Sequence, residues 1–144
     1  MSWRDNVIVT CLLGWFIAQF IKVILTLIKD KKIDFRRFIG AGGFPSSHAA
    51  FVTSLATAVG LTNGFNGAEF AISVVLALVV MYDAAGVRRA AGQQARILNK
   101  IVEEWEHKDL TQTDKRLKEL LGHTPKEVFA GAILGIVIAL IRHI

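Results

Sequence analysis

Two short stretches of this sequence gather residue types that can do chemistry. In "GGFPSSHAAF", residues 42–51, Pro45, Ser46, Ser47 and His48 are consecutive; in "GHTPKEV", residues 122–128, His123 and Glu127 stand four apart. Each stretch leads into an apolar run. A helix that begins there offers free backbone N–H groups and the positive end of its dipole. Gly40, Gly42 and Gly43 let a backbone come close to a ligand. Cations stand nearby in the sequence: Lys29, Lys31, Lys32, Arg36 and Arg37 before the first stretch, and Arg88 and Arg89 in "YDAAGVRRAAG". Helix N-termini beside cations make a holder for phosphate or another polyanion, if the fold brings the three segments together.

Each piece also has a plainer reading. Ser46 and Ser47 suit an N-cap after a turn built on Pro45. His48 alone is an ordinary interfacial histidine. "TPKE", residues 124–127, fits a capping box, with threonine at the N-cap, proline next and glutamate at the third position. Arg88 and Arg89 suit a helix C-terminus and anionic lipid.

The elements that must position these residues follow from composition. Of 144 residues 53% are hydrophobic and 20% charged, and mean hydropathy is +0.46. That balance points to one membrane domain spanning residues 1–144. Cys11 is the single cysteine, so neither an intrachain disulfide nor a thiolate cluster is available. The net charge is +5, but no aromatic residues interleave the cations as stacking platforms, which argues against nucleic acid. Four apolar stretches cover about residues 6–28, 46–61, 70–85 and 126–141. The first reads as a retained span and not as a removed leader. The last three are short against the ~20 residues a bilayer core needs, so flanking turns or local thinning must complete them. Core helices of a soluble protein are the competing reading. The expected fold is all-α: an integral membrane bundle of about four transmembrane helices, with amphipathic helices in an insertion at about residues 88–122. There Ile97, Ile101 and Trp105 would share a face, either on the membrane surface or packed under the bundle.

Connections 29–45 and 86–125 are rich in Lys and Arg, whereas "TNGFNGAE", residues 62–69, has neither. The positive-inside rule therefore puts the basic connections in the cytoplasm and both termini outside. All three chemical stretches then fall at the cytoplasmic face. Lys22, with Gln19 one turn before it, and Asp83 are polar residues within spans; they are expected to face the bundle interior, near each other, unless Lys22 snorkels outward. Gly131 and Gly135 form a G-x-x-x-G pair, a mark of close helix packing and a candidate seam between copies of the chain.

Taken together, "GGFPSSHAA", "MYDAAGVRRAAGQQARILN" and "LLGHTPKEVFAGAILG" resemble the divergent PAP2 family, which is related to acid phosphatases and vanadium-dependent haloperoxidases. The wider superfamily carries K-x6-R-P, P-S-G-H and S-R-x5-H-x3-D motifs on helical, metal-independent phosphatases of lipid and isoprenoid phosphates. By resemblance, Lys29 and Arg36 keep the first spacing, although Phe38 follows Arg37 where the motif has proline after its arginine. Pro45 to His48 match the second motif with Ser47 for glycine. His123 and Glu127 match the end of the third with glutamate for aspartate. Arg88 or Arg89 would supply that motif's arginine, but the motif's serine is missing and an insertion of roughly 30 residues intervenes.

The resemblance implies a mechanism without metal or other cofactor. His123 attacks phosphorus, Glu127 supports its other ring nitrogen, and His48 serves as general acid and then general base. Lys29, Arg36, Arg88 or Arg89, Ser46, Ser47 and backbone amides hold the phosphoryl oxygens, with Lys22, Gln19, Asp83, Gly42 and Gly43 in support. The implied partner is a membrane lipid or prenyl phosphate. The alternative is a non-catalytic protein that binds phospholipid headgroups or moves lipid with the same mouth; a third is a structural subunit that oligomerises through Gly131 and Gly135.

Overall fold

A computed structural model gives the fold and describes residues 6–30, 43–106 and 122–143, with backbone alone at 29, 30, 88 and 103–106. The described residues form helices α1 (Val7–Asp30), α2 (Ser47–Asn63), α3 (Ala68–Ala85), α4 (Val87–Glu106) and α5 (Pro125–His143). The four expected apolar runs are thus helical, each within a few residues of its expected limits. Asn6 caps α1 by accepting from the Val9 N–H at 3.3 Å.

The packing is inside out by the standard of a water-soluble protein. The buried face of α1 carries Thr10, Cys11, Gly14, Ala18, Gln19, Lys22 and Thr26, while Phe16 and Phe20 are 52% and 54% exposed. On α3, Ser73, Ala77 and Ala84 point inward and Ile72, Val75, Leu78 and Val79 outward. Water would reverse this arrangement. Lipid permits it, because tails solvate leucine as well as another helix does, and small residues then let helices approach. Two stretches, Val7–Ile28 and Ala68–Val102, are long and apolar enough to cross a membrane among the described residues. The second runs on from α3 into α4.

Helix α2 is the hub. It packs against α1, α3 and α5, and α5 also reaches α1. Being buried on nearly all sides, α2 carries no strong apolar stripe; it is built from Ala49, Ala50, Thr53, Ser54, Ala56, Ala58 and Gly60. Its 17 residues span about 26 Å.

Gly131 and Gly135, offered above as a seam between copies, are buried against α2 inside one chain. A Cβ on Gly131 would run into the Ser46 carbonyl oxygen, and one on Gly135 into Thr53 Oγ1 and the Ala50 carbonyl. The close packing expected of the pair is met within one chain. The Thr53 hydroxyl lies 2.8 Å from the Ala49 carbonyl in its own helix and 3.1 Å from the Ala132 carbonyl across the contact.

At Gly86 the chain turns from α3 into α4, and its N–H donates to the Tyr82 carbonyl at 2.8 Å. Helix α4 is amphipathic, with Ile97, Leu98, Ile101 and Val102 exposed. The Trp105 side chain and most of the second amphipathic segment lie outside the described residues.

Candidate functional site

The chemical stretches converge on one end of the bundle. Ala49 at the start of α2, Ala84 at the end of α3 and Val128 in the first turn of α5 share a buried cluster. The bond that fixes the register is main-chain: the Ser46 N–H donates to the Glu127 carbonyl at 2.9 Å. It needs the backbones of α2 and α5 in near contact, and Gly131 is what permits that approach.

Ser46 is fully buried, and its Oγ accepts from the Ala49 N–H at 3.3 Å, so it is the N-cap of α2. Ser46→Ala is expected to lower stability by about 1 kcal/mol, the usual worth of such a cap, measured by thermal melting in detergent. Ser47 is also buried, at the first position of the helix.

The "TPKE" capping box forms as well. The Thr124 N–H donates to Glu127 Oε2 at 2.8 Å, and the Glu127 N–H to Thr124 Oγ1 at 3.4 Å. The same Oε2 lies 3.4 Å from His123 Nδ1. Glu127 therefore serves the helix end and the imidazole together. With a proton on Nδ1 directed at the carboxylate, the lone pair of His123 resides on Nε2.

His123 is 2% exposed, and its Nε2 is buried with no hydrogen-bond partner among the described residues. Burial first, then the positive charge of Lys22, lowers its pKa below the ordinary histidine value; Glu127 works in the opposite sense and His48 adds to the lowering. The His48 ring stands edge-on to the His123 ring, with centroids 5.9 Å apart and planes at 64°. The two imidazoles, 75 residues apart in the chain, are neighbours.

Lys22 reaches this end from α1 and is 3% exposed. The carboxylate within its electrostatic reach is Glu127 of α5. Glu127, and not the expected Asp83, is thus the carboxylate that Lys22 feels, without an ion pair closing between them, because α1 packs on α2 and α5 and has no comparable contact with α3. Asp83 is half-buried in the last turn of α3. Gln19 is buried one turn before Lys22. Gly43 has φ +93°, where a side chain is strained, and a Cβ there would sit 3.2 Å from Lys22 Cδ.

Of the expected phosphate-binding cations, Arg89 is exposed on the first turn of α4. Arg36, Gly42 and the side chains of Lys29 and Arg88 lie outside the described residues. Reading the sequence missed the role of Gly131 in bringing the two stretches together. Its signal was the match between two small-residue faces, Gly131 and Gly135 against Ala49, Ala50, Thr53 and Ser54.

The family model described as "Divergent PAP2 family" matches residues 3–138. A Bacillus subtilis (strain 168) protein, described as the uncharacterized membrane protein YuiD, is 44% identical over 86% of this chain and 85% of its own length. No solved structure matches. The motif-bearing stretches that carried the resemblance and a family match across nearly all of the sequence agree: this chain belongs to the divergent PAP2 family.

Proposed function

We propose that this chain is a membrane phosphatase-like protein that hydrolyses a lipid or isoprenoid phosphate through a phosphohistidine on His123. The observation that carries the proposal is the run of His48, His123 and Glu127, with 5.9 Å between the rings and 3.4 Å from Nδ1 to the carboxylate. That is the order of parts a nucleophilic imidazole needs: an orienting acid behind it and a proton-transfer group beside it.

The chemistry runs in two displacements. His123 Nε2 attacks phosphorus, the N–P bond forms, and the bond from phosphorus to the lipid oxygen breaks. The leaving oxygen takes the proton of His48. Neutral His48 then draws a proton from water, whose oxygen attacks phosphorus and breaks the N–P bond, releasing inorganic phosphate. The Glu127 carboxylate offsets the positive charge that develops on the His123 ring.

In this reading α2 and α5 cross the membrane along with α1 and α3, and the mouth faces the cytoplasm. A reporter placed in the loop at residues 62–69 is then expected to signal from the outer side; a cytoplasmic signal would overturn that orientation. The function is tested by phosphate release from a panel of lipid phosphates by purified protein, with His48→Ala alongside. Metal-independent release, inhibited by vanadate and lost in His48→Ala, is the expected result.

One observation favours a non-catalytic reading. Glu127 Oε2 sits closer to the Thr124 N–H, at 2.8 Å, than to His123 Nδ1, at 3.4 Å. A carboxylate kept for the helix cap would leave a mouth that binds headgroups without turning them over. Headgroup binding with no phosphate release in the wild type is the outcome that selects it.

A further inference from the structure

The family motif points to Lys29 as the phosphate-binding lysine, but the residue with the physical properties of one is Lys22. It is 3% exposed within a membrane-spanning helix, and its Nζ has no hydrogen-bond partner among the described residues. Desolvating an ammonium costs several kcal/mol, and such a charge is kept inside a span when something is there to meet it. Glu127 lies within its electrostatic reach but does not close an ion pair with it. Its stem runs past Gly43, whose absent side chain leaves room for Lys22 Cδ.

His123 Nε2 is the second buried polar atom at this end without a partner, and Lys22 lies within electrostatic reach of that ring. One atom is a donor seeking an acceptor, and the other is a lone pair suited to an electrophile. A phosphoryl group answers both, since its oxygens accept from an ammonium while its phosphorus faces a nitrogen.

We propose that Lys22 is the cation that holds the phosphoryl oxygens against His123, and that the site takes a terminal phosphoryl group. Lys22 is 3% exposed and His123 2% exposed. A monoester or the end of a diphosphate therefore reaches them, whereas a diester, substituted on both sides of its phosphorus, does not. This assignment rests on the reading of the mouth as a phosphoryl site.

The test is anion binding and not turnover. Orthovanadate is titrated into the detergent-purified full chain by calorimetry, beside inorganic phosphate and a dialkyl phosphate. Wild type is expected to bind vanadate and phosphate and not the dialkyl ester. Lys22→Met is expected to weaken vanadate binding at least about 30-fold, the usual loss when one side of a buried charged contact is removed. Lys22→Arg keeps most of the binding, and Lys100→Met on the exposed face of α4 leaves it unchanged. Because the Lys22 ammonium has no hydrogen-bond partner among the described residues, Lys22→Met should melt no lower than wild type. Lys22→Gln, with a polar chain of similar reach, is read beside it so that a folding defect is not mistaken for a binding one. Vanadate bound equally well by Lys22→Met, a loss that falls on Lys29→Met instead, or no binding by wild type would each overturn the assignment. The two proposals also separate. Lys22-dependent binding without turnover sinks the hydrolase and keeps Lys22, whereas full turnover in Lys22→Met does the reverse.

Discussion

Replacing His123 by alanine is expected to reduce phosphate release by on the order of 10⁴-fold or more, the scale seen when a covalent nucleophile is removed. The acid-labile phosphoenzyme formed from a ³²P-labelled substrate should vanish with it. His48→Ala should behave differently. Attack by Nε2 remains available when the leaving group is good, so an activated aryl phosphate should still label His123, and the label should persist because no base activates water. A labelled protein in His123→Ala, or phosphate release kept near the wild-type rate in it, would exclude His123 as the nucleophile. The pH dependence follows from the direction of its shift. Burial and Lys22 lower the His123 pKa, so the neutral, nucleophilic form persists as pH falls through the ordinary histidine range. Labelling should therefore hold until the pH is below that range. By the same linkage, the stability contributed by neutral His123 is present above the unfolded-state value and is lost as pH falls through the lower folded value.

The second large effect is expected at Gly131, where a single methyl group should suffice. In Gly131→Ala the new Cβ meets the Ser46 carbonyl, which is backbone and cannot swing aside as a side-chain tip would. Either the helices separate, breaking the Ser46 to Glu127 hydrogen bond, or the start of α2 shifts. Both move His48 away from His123. The loss of stability is expected to be about 3 kcal/mol or more, at the upper end for overpacked sites. Gly67→Ala is the control, because the nearest atom to a Cβ there is Glu69 Oε2 at 4.0 Å. Thermal melting and activity measured on both variants check the prediction. A Gly131→Ala protein as stable and active as Gly67→Ala would mean that α2 and α5 are not packed as described.

Much of the local structure was legible in the chain. The caps at Ser46 and Thr124 use side chains within three residues of the N–H groups they satisfy, so their spacing alone specified them. His123 and Glu127 were readable as a pair for the same reason, since His123 stands just before the Thr124 cap and the capping-box glutamate reaches back over that position. Which carboxylate comes within electrostatic reach of Lys22 was not legible. Two carboxylates, Asp83 and Glu127, were available at the same end of the bundle, and hydropathy gives each helix a depth but no neighbour. Nor could a G-x-x-x-G pair announce whether its partner would be another copy of the chain or α2.

The sequence by itself determined the helices, their caps, the inward polar residues and the histidine–glutamate pair, because each depends on contacts within a turn or two. Only the tertiary structure decided that His48 meets His123 and that Lys22 arrives beside Glu127 from a third helix. Those contacts hang on backbone approach at Gly131 and Gly135, where the absence of a side chain admits α2. A glycine marks in the sequence where a side chain is absent, but the helix that fills the space is chosen only when the bundle packs.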